Sequence, residues 1–251
     1  MKLKNKISIV TGASGGIGAA IAHAYAKEGA IVIVVNKNNP QRGIQVANEI
    51  KQNGGLAQAI ACDVSNRNAV QNLVAEVIKE YGRIDILVNN AGTLIFKKFE
   101  DETEEDWDIS LSVNLKGPFL LSQAVAPHMK KHQYGKIIFT SSLAAIRGVA
   151  GAISYSASKG GVLAMARSMV AELAQYGINV NLISPGFTAT PMNQNFRTNP
   201  HFMEQIKYPP SGIAVMQPMD IATAAVFLAS DDAKMIHGLD LIVDGGASAV
   251  Q

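Results

Sequence analysis

The sequence predicts an α/β protein: a single doubly wound, seven-stranded parallel sheet with helices on both faces. Three observations carry this expectation. Short β-branched runs alternate with helical patterns from end to end of the 251 residues. Several of these runs are apolar at nearly every position, as strands covered on both faces require. The first run leads through a glycine-rich turn straight into a long helical stretch, the order that opens a right-handed βαβ unit.

Residues 7–11, 31–35, 57–61 and 85–88 read as the first four strands, and 136–140, 179–183 and 239–243 as three more. Helix signals lie between them. Asn39-Pro40 offers an N-cap followed by a first-turn proline, and Thr103-Glu-Glu-Asp106 resembles a capping box. A helical stretch spans 155–176, and Gln217-Pro-Met-Asp220 opens the last long helix, with Gly238 following its end. No linker, internal repeat or low-complexity tract divides the chain, so 1–251 is expected to form one domain. The irregular part is 187–215, which holds Pro191, Pro200, Pro209 and Pro210. A segment of that length within one domain reads as a lid or functional loop.

Composition narrows the function classes. With 48% hydrophobic and 17% charged residues the chain can bury a sizeable core. The net charge of +2 comes from 22 basic and 20 acidic residues with no basic block, which speaks against nucleic-acid or membrane-surface binding. A single cysteine, Cys62, rules out an intrachain disulfide and reads as a buried strand residue. With no signal peptide, it points to a reducing, cytoplasmic setting. No apolar run reaches 18 residues, and the five histidines show no metal-ligand spacing, so neither a membrane span nor a metal site is expected.

The stretch TGASGGIG, residues 11–18, admits two readings. Gly12-Ala-Ser14-Gly-Gly16 spells the G-x-S-x-G elbow of a serine hydrolase, with Ser14 as nucleophile. That elbow follows a central strand, with an acid and then a histidine downstream; His201 and His237 exist here, but nothing marks an acid beside either. A glycine-rich turn after the first strand instead aims free N–H groups and a helix N-terminus at an anion. Gly12 then permits the tight turn, Gly16 the approach of a pyrophosphate and Gly18 close helix–strand packing. A P-loop is excluded because no Lys-Ser/Thr pair follows the glycines.

The chemistry-bearing cluster lies downstream. Tyr155 and Lys159 are four apart on a helix and share a face, and Ser142 closes a strand at the carboxyl edge of the sheet. A phenol with a pKa near ~10 needs ~4 kcal/mol to titrate near ~7. An ammonium ~5 Å away supplies ~3 kcal/mol at an effective dielectric of ~20. Lys159 is therefore expected to provide most of that change. Ser156-Ala-Ser-Lys159 also fits the S-x-x-K of penicillin-recognising enzymes, but no Ser-Asp-Asn or Lys-Thr-Gly accompanies it.

Together these residues resemble the short-chain dehydrogenase/reductase family over nearly the whole chain, and within it the 3-oxoacyl-[acyl-carrier-protein] reductase and glucose dehydrogenase-like group. TGASGGIG looks like its glycine motif, Asn89-Asn-Ala-Gly92 its NNAG and Tyr155-Ser-Ala-Ser-Lys159 its YxxxK; Asn114, Ser142, Pro185-Gly186 and Asp244-Gly-Gly246 stand in the family's order. The resemblance implies an NAD(P)-binding Rossmann domain with a substrate lid at about 187–215, and hydride transfer between nicotinamide and a ketone or secondary alcohol. Tyr155 would be the general acid–base and Ser142 would hydrogen-bond the reacting oxygen. Lys159 would lower the Tyr155 pKa and bind the nicotinamide ribose. Asn114 would hold a water that relays protons to Lys159. Gly12, Ser14, Gly16, Ile17 and Gly18 would cradle the phosphates. Asp63 and Val64 would flank adenine, with Asn90, Ala91 and Gly92 lining the groove. Pro185, Gly186 and Thr188 would meet the nicotinamide, Thr188 through its carboxamide. The family also implies a homotetramer.

Choice of nicotinamide rests on the residue about 20 positions beyond the glycines, where an acidic side chain favours NAD. Asn36 stands there, followed by Lys37, which leans toward NADP(H) because Lys37 can pair with a 2′-phosphate. Gly15 departs from members that carry a basic residue at that point. Leu94, Ile95, Phe96, Leu143, Ala144, Phe187 and Met192 offer an apolar substrate pocket. Arg197 and Lys207 are isolated cations in the lid and give no clear carboxylate or phosphate site. An acyl-carrier thioester is an alternative substrate, with Lys130-Lys131 available to an acidic carrier. Where members place an arginine before the last helix, this chain has Ser211-Gly-Ile-Ala-Val-Met216. A non-catalytic nucleotide sensor and a serine hydrolase are the rival functions from other classes.

Overall fold

The computed structural model describes residues 1–37, 39–200 and 210–250. Seven strands form one parallel sheet: β1 Ile7–Thr11, β2 Ile31–Asn36, β3 Leu56–Ala61, β4 Ile86–Asn89, β5 Gly135–Thr140, β6 Ile178–Pro185 and β7 Asp240–Val243. Their order across the sheet is β3-β2-β1-β4-β5-β6-β7. The chain runs outward from β1 to β3, then crosses back to β4 and continues the other way. The carboxyl ends of β1 and β4 therefore flank the point where strand order reverses, the place where open α/β sheets bind ligands.

Among the described residues the helices are α1 Gly16–Lys27, α2 Pro40–Gln52, α3 Arg67–Tyr81, α4 Glu104–Leu111, α5 Gly117–His132, α6 Ile153–Leu173, α7 Gln194–Arg197 and α8 Pro218–Ala229. They cover both sheet faces. Val10, Val34, Val88 and Ile138 face a core completed by Ile21 and Tyr25 of α1, Val46 of α2 and Leu228 of α8. Their strand neighbours Ile9, Ile33, Leu87 and Ile137 face the other way, onto Val74 of α3, Val125 of α5 and Ala166 of α6. This double burial is why the strands read as unbroken apolar runs rather than alternating ones.

The helix starts follow the sequence signals. Asn39 accepts from the Arg42 N–H, Thr103 and Asp106 close a capping box, and Gln217 and Asp220 close another. Two ends differ from expectation. The long helix begins at Ile153 rather than 155, because Ala152 is the residue that leaves helical geometry, and its last turn, Ala174–Tyr176, tightens to 3-10. Gly238 caps nothing: α8 stops at Ala229, and Gly238, with φ +72°, turns the chain into β7 while donating to Val180 O at 2.8 Å. Of the proposed lid, 201–209, with His201, Lys207 and Pro209, lies outside the described residues. Cys62 is buried as expected, but one residue beyond β3.

The two edges of the sheet are built differently. At the amino edge, buried Lys136 donates to Asn179 Oδ1 at 2.8 Å, and buried Asp85 accepts from the Ile7 N–H at 2.8 Å. These polar clasps close that edge. At the carboxyl edge α1 approaches β1 so closely that a Cβ on Gly18 would stand 2.4 Å from Gly12 O and 2.5 Å from Asn90 Nδ2. Gly18→Ala should therefore destabilise the fold by ~1–3 kcal/mol, as overpacking in a tight core does. Thermal denaturation should show a midpoint lower by at least about 2 °C, and an unchanged midpoint would contradict this packing.

Candidate active site

The turn after β1 depends on glycine at two positions besides Gly18. Gly12 sits at φ +64°, where its missing Cβ would be 2.8 Å from Ala91 Cα, and Gly16 at φ +55°. The next strand ends hold this turn in place. Thr11 Oγ1 accepts from the N–H groups of Asn90 and Ala91, each at 3.0 Å. Asn90 Nδ2 donates to Thr11 O at 2.9 Å, and Thr140 Oγ1 donates to Asn90 Oδ1 at 3.2 Å. Asn90 thus ties the ends of β1, β4 and β5 together as well as lining the groove.

A cleft of about 740 Å³ runs along this edge. Ser14, Gly16 and Ile17 form its middle beside Gly12. One end holds Asn36, Lys37, Asp63 and Val64; the other holds Ala91, Gly92, Ser142, Tyr155, Lys159, Pro185, Gly186 and Thr188. Leu94, Phe96, Leu143, Ala144, Phe187 and Met192 line the mouth beyond that second end, whereas Ile95 does not reach it. Gly18 and Asn114 lie behind the walls, Gly18 in the helix–strand contact and Asn114 fully buried.

The first end differs from the sequence reading. Lys37 Nζ is 2.6 Å from Asp63 Oδ2, so this ammonium is engaged by a carboxylate. Burial works against the Asp63 charge, but hydrogen bonds from Lys37 and Ser65 hold the carboxyl below its ordinary range. Arg42, in the first turn of α2, lines the same end. Its signal in the sequence is only a basic residue three beyond an N-cap. Asn36 is 6% exposed and its Nδ2 has no hydrogen-bond partner among the described residues. It fits there because position 43 is glycine: a Cβ on Gly43 would stand 2.1 Å from Asn36 Oδ1.

At the second end Ser142 accepts from the Ala144 N–H at 3.1 Å and hydrogen-bonds the Tyr155 phenol. Lys159 is 5% exposed, donates to Thr140 O at 2.7 Å, and sits 5.6 Å from the Tyr155 ring centre. Between α4 and α5 the chain makes a π-helical turn, Ser112–Lys116, with the Gly117 N–H reaching back to Ser112 O. This turn directs Asn114 inward. Its Oδ1 accepts from Thr93 N–H at 2.8 Å, and its Nδ2 donates to Thr93 O at 2.9 Å and Ser158 Oγ at 3.1 Å. Ser158 donates in turn to Tyr155 O at 2.6 Å. The amide thus joins the Gly92-Thr93 loop to α6, and beside it a Cβ on Gly92 would stand 3.2 Å from Asn114 Oδ1 and 3.8 Å from Lys159 Nζ. Thr93 and Ser158 carried no sequence signal beyond their neighbours.

The model of the short chain dehydrogenase family matches residues 6–201. The chain belongs to that family. It is an NAD(P)-dependent oxidoreductase that interconverts secondary alcohols and ketones. It is 36% identical over 248 residues to a cyclopentanol dehydrogenase of a Comamonas species, covering 99% of both chains. With a D-threitol dehydrogenase of Mycolicibacterium smegmatis it shares 40% identity over 245 residues, covering 98% of this chain and 94% of the relative. Among solved structures, a gluconate 5-dehydrogenase from Burkholderia cenocepacia in complex with NADP and tartrate superposes with a TM-score of 0.95 at 31% identity, covering 100% of this chain and 98% of that one.

The residues of this short-chain dehydrogenase fit a nicotinamide dinucleotide. The glycine turn exposes backbone where a Cβ would intrude, Asn36 leaves a buried donor unpaired at one end, and the phenol and ammonium stand at the other. The electrostatics correct one expectation. The sequence assigns Lys159 most of the work of lowering the Tyr155 pKa. In the structure burial pushes the phenol up and the Ser142 hydrogen bond opposes that rise. Burial also pulls Lys159 down to about 8.

That burial has a measurable cost. A fall from 10.5 to about 8 disfavours the charged lysine by ~3 kcal/mol. Below pH 8 the folded and unfolded chains both carry the proton and the penalty is constant. Between 8 and 10.5 the folded chain loses it first, so stability rises with pH. Lys159→Met should therefore be more stable than the parent at pH 7, by up to ~3 kcal/mol, with the advantage shrinking toward pH 10. Thermal denaturation at both pH values checks this; a variant less stable at pH 7 would contradict it.

Proposed function

We propose that this enzyme reduces a ketone with NADPH, or oxidises the matching secondary alcohol, using Tyr155 as the general acid–base. The observation that carries the proposal is the joint presentation of Ser142, Tyr155 and Lys159 at one end of a glycine-floored cleft. A nicotinamide held in this cleft would supply or accept the hydride at the carbonyl carbon. Ser142 donates to the carbonyl oxygen, and Tyr155 delivers the phenolic proton to it in reduction and removes it in oxidation. Lys159, held by the Thr140 carbonyl, keeps positive charge beneath the phenol as it becomes phenolate. Asn114 acts through Thr93 and Ser158, fixing the loop and the helix that carry these groups.

The rival readings of Ser14 and Ser156 lose support from the same geometry. Among the described residues no histidine lines the cleft beside Ser14, and His237 is engaged by Asn179 on the opposite edge of the sheet. Ser156 does not line the cleft. Tyr155→Phe should lower kcat by ~10²–10⁴, the usual worth of a positioned acid–base, while leaving NADPH affinity intact. Ser14→Ala should keep most of the activity. Full reductase activity in Tyr155→Phe, measured as NADPH oxidation, would refute the assignment.

NADP(H) is the preferred dinucleotide in this reading. Arg42 supports it as the cation at the far end of the cleft that has no ion pair among the described residues, with Asn36 tolerating a phosphate that a carboxylate would repel. Lys37 contributes less, being paired with Asp63. Arg42→Ala should weaken NADPH binding by roughly 10–100-fold, the value of a charge-assisted hydrogen bond, and leave NADH binding unchanged. Titration of intrinsic fluorescence distinguishes the two; equal loss for both dinucleotides would count against a 2′-phosphate contact.

A homotetramer and a cytoplasmic setting belong to the same proposal. Exposed apolar side chains on α4 and α5, Trp107 and Phe119, and on α8 and β7, Phe227 and Ile242, support self-association. The lone buried thiol of Cys62, with a pKa raised to about 11 by burial and by Asp63, is in keeping with a reducing compartment.

A further inference from the structure

The segment after β6 is internally clasped. Asn193 Oδ1 accepts from the Thr190 N–H at 3.1 Å and from Arg197 Nε at 3.2 Å, and Asn193 Nδ2 donates to Thr188 O at 2.6 Å. Arg197 Nη2 donates to Thr190 O at 3.3 Å. The guanidinium is therefore used within the lid's own backbone and is not presented to a substrate anion. At its base this clasp rests on the glycine turn, where a Cβ on Gly16 would meet Thr190 at 3.2 Å.

At its tip the clasp meets the rest of the protein through a pair of aromatic rings. Phe196 of α7 packs edge-on against Phe96, from the loop after β4, with ring centres 4.9 Å apart and planes at 66°. Phe96 is supported from behind by Gly151: a Cβ there would stand 3.0 Å from the ring, and the Lys97 N–H donates to Gly151 O at 2.9 Å. Two separate segments, α7 and the turn at Gly151, thus meet at Phe96. Both rings line the cleft, and so do Leu94, Val113, Leu143 and Val149.

Charge is distributed unevenly along the cleft. Lys37, Arg42 and Asp63 line the end away from Tyr155, and among the described residues Lys159 is the charged side chain lining the Tyr155 end, buried and bonded to Thr140. Among the described residues no unengaged cation lines this mouth to meet a carboxylate, and apolar side chains outnumber its polar ones, Thr93 and Ser142 among them, so charged and polyhydroxylated groups are poorly matched there. The same cleft must also hold the dinucleotide, which leaves little room for a long acyl chain.

We infer that the Phe96–Phe196 pair is a specificity gate that admits compact, uncharged, apolar ketones, small cycloalkanones being the class that fits, and turns away sugar acids, polyol ketones and acyl thioesters. The inference rests on the ketone-reductase reading above. The pair sets an upper limit on substrate size by steric contact. Removing one ring opens the mouth without touching Ser142, Tyr155 or the glycine turn.

The test compares kcat/KM for cyclohexanone, 4-tert-butylcyclohexanone and 5-ketogluconate in the parent, Phe196→Ala and Phe196→Leu, with the NADPH Kd of each measured by fluorescence. In the parent, cyclohexanone should be favoured over 5-ketogluconate by at least about 100-fold. Phe196→Ala should raise the ratio of bulky to small ketone by about tenfold or more, the scale on which a hydrophobic pocket discriminates groups of this size. Phe196→Leu should fall between, and all three proteins should keep the same NADPH Kd, which shows the fold and cofactor cleft to be intact. Preference for 5-ketogluconate in the parent would overturn the inference while leaving the ketone-reductase reading in place. So would an unchanged ketone ratio in Phe196→Ala. Turnover of none of the three by a parent that binds NADPH would remove that reading and the gate with it.

Discussion

The constraint on which the rest of this structure depends is the burial of one ammonium group. Lys159 lies on α6 with its charge removed from water and a hydrogen bond to the Thr140 carbonyl. A buried cation of this kind is tolerated only where the surrounding backbone is fixed to meet it. The end of β5 is fixed by Thr140 on Asn90, Asn90 by Thr11, and Thr11 by β4. The same chain of bonds sets the glycine turn at the proper distance from the acid–base pair. Fold and chemistry share these contacts, so stability is given up where function is gained.

A second consequence is the division of the cleft. Apart from buried Lys159, its charged side chains among the described residues collect around Asn36 and Arg42, where the proposed dinucleotide would present its adenosine ribose, while its opposite mouth is lined mostly by apolar side chains, two of them packed rings. Between them stands the short clasp of Thr190, Asn193 and Arg197, resting on Gly16 at one end and on Phe96 at the other. On the proposed reading, cofactor recognition by charge and substrate recognition by shape are thereby kept apart within one groove.

The sheet was legible in the sequence because strands buried on both faces must be apolar at every position, and all seven strands were located to within two residues at each end. The grouping of Tyr155 with Lys159 was legible as well, because helical spacing puts them on one face whatever surrounds them. What could not be read were relations made across the fold. Arg42 and Phe196 look like ordinary helix residues until the sheet brings them to the cleft. Lys37 looks like a free cation until Asp63, 26 residues away in the chain, is placed 2.6 Å from it. The direction of the Tyr155 pKa was missed for a related reason: spacing gives the attraction of Lys159, but the larger effect is desolvation, which depends on everything packed around the phenol.

The central claim, that the reaction is run beside a lysine whose burial makes its proton easy to release, is tested most directly by ¹⁵N NMR titration of the Lys159 side-chain nitrogen, assigned through its absence in Lys159→Met. The resonance should titrate with a midpoint near 8. A midpoint at the ordinary lysine value of about 10.5 would mean that the ammonium is solvated, and would contradict the account.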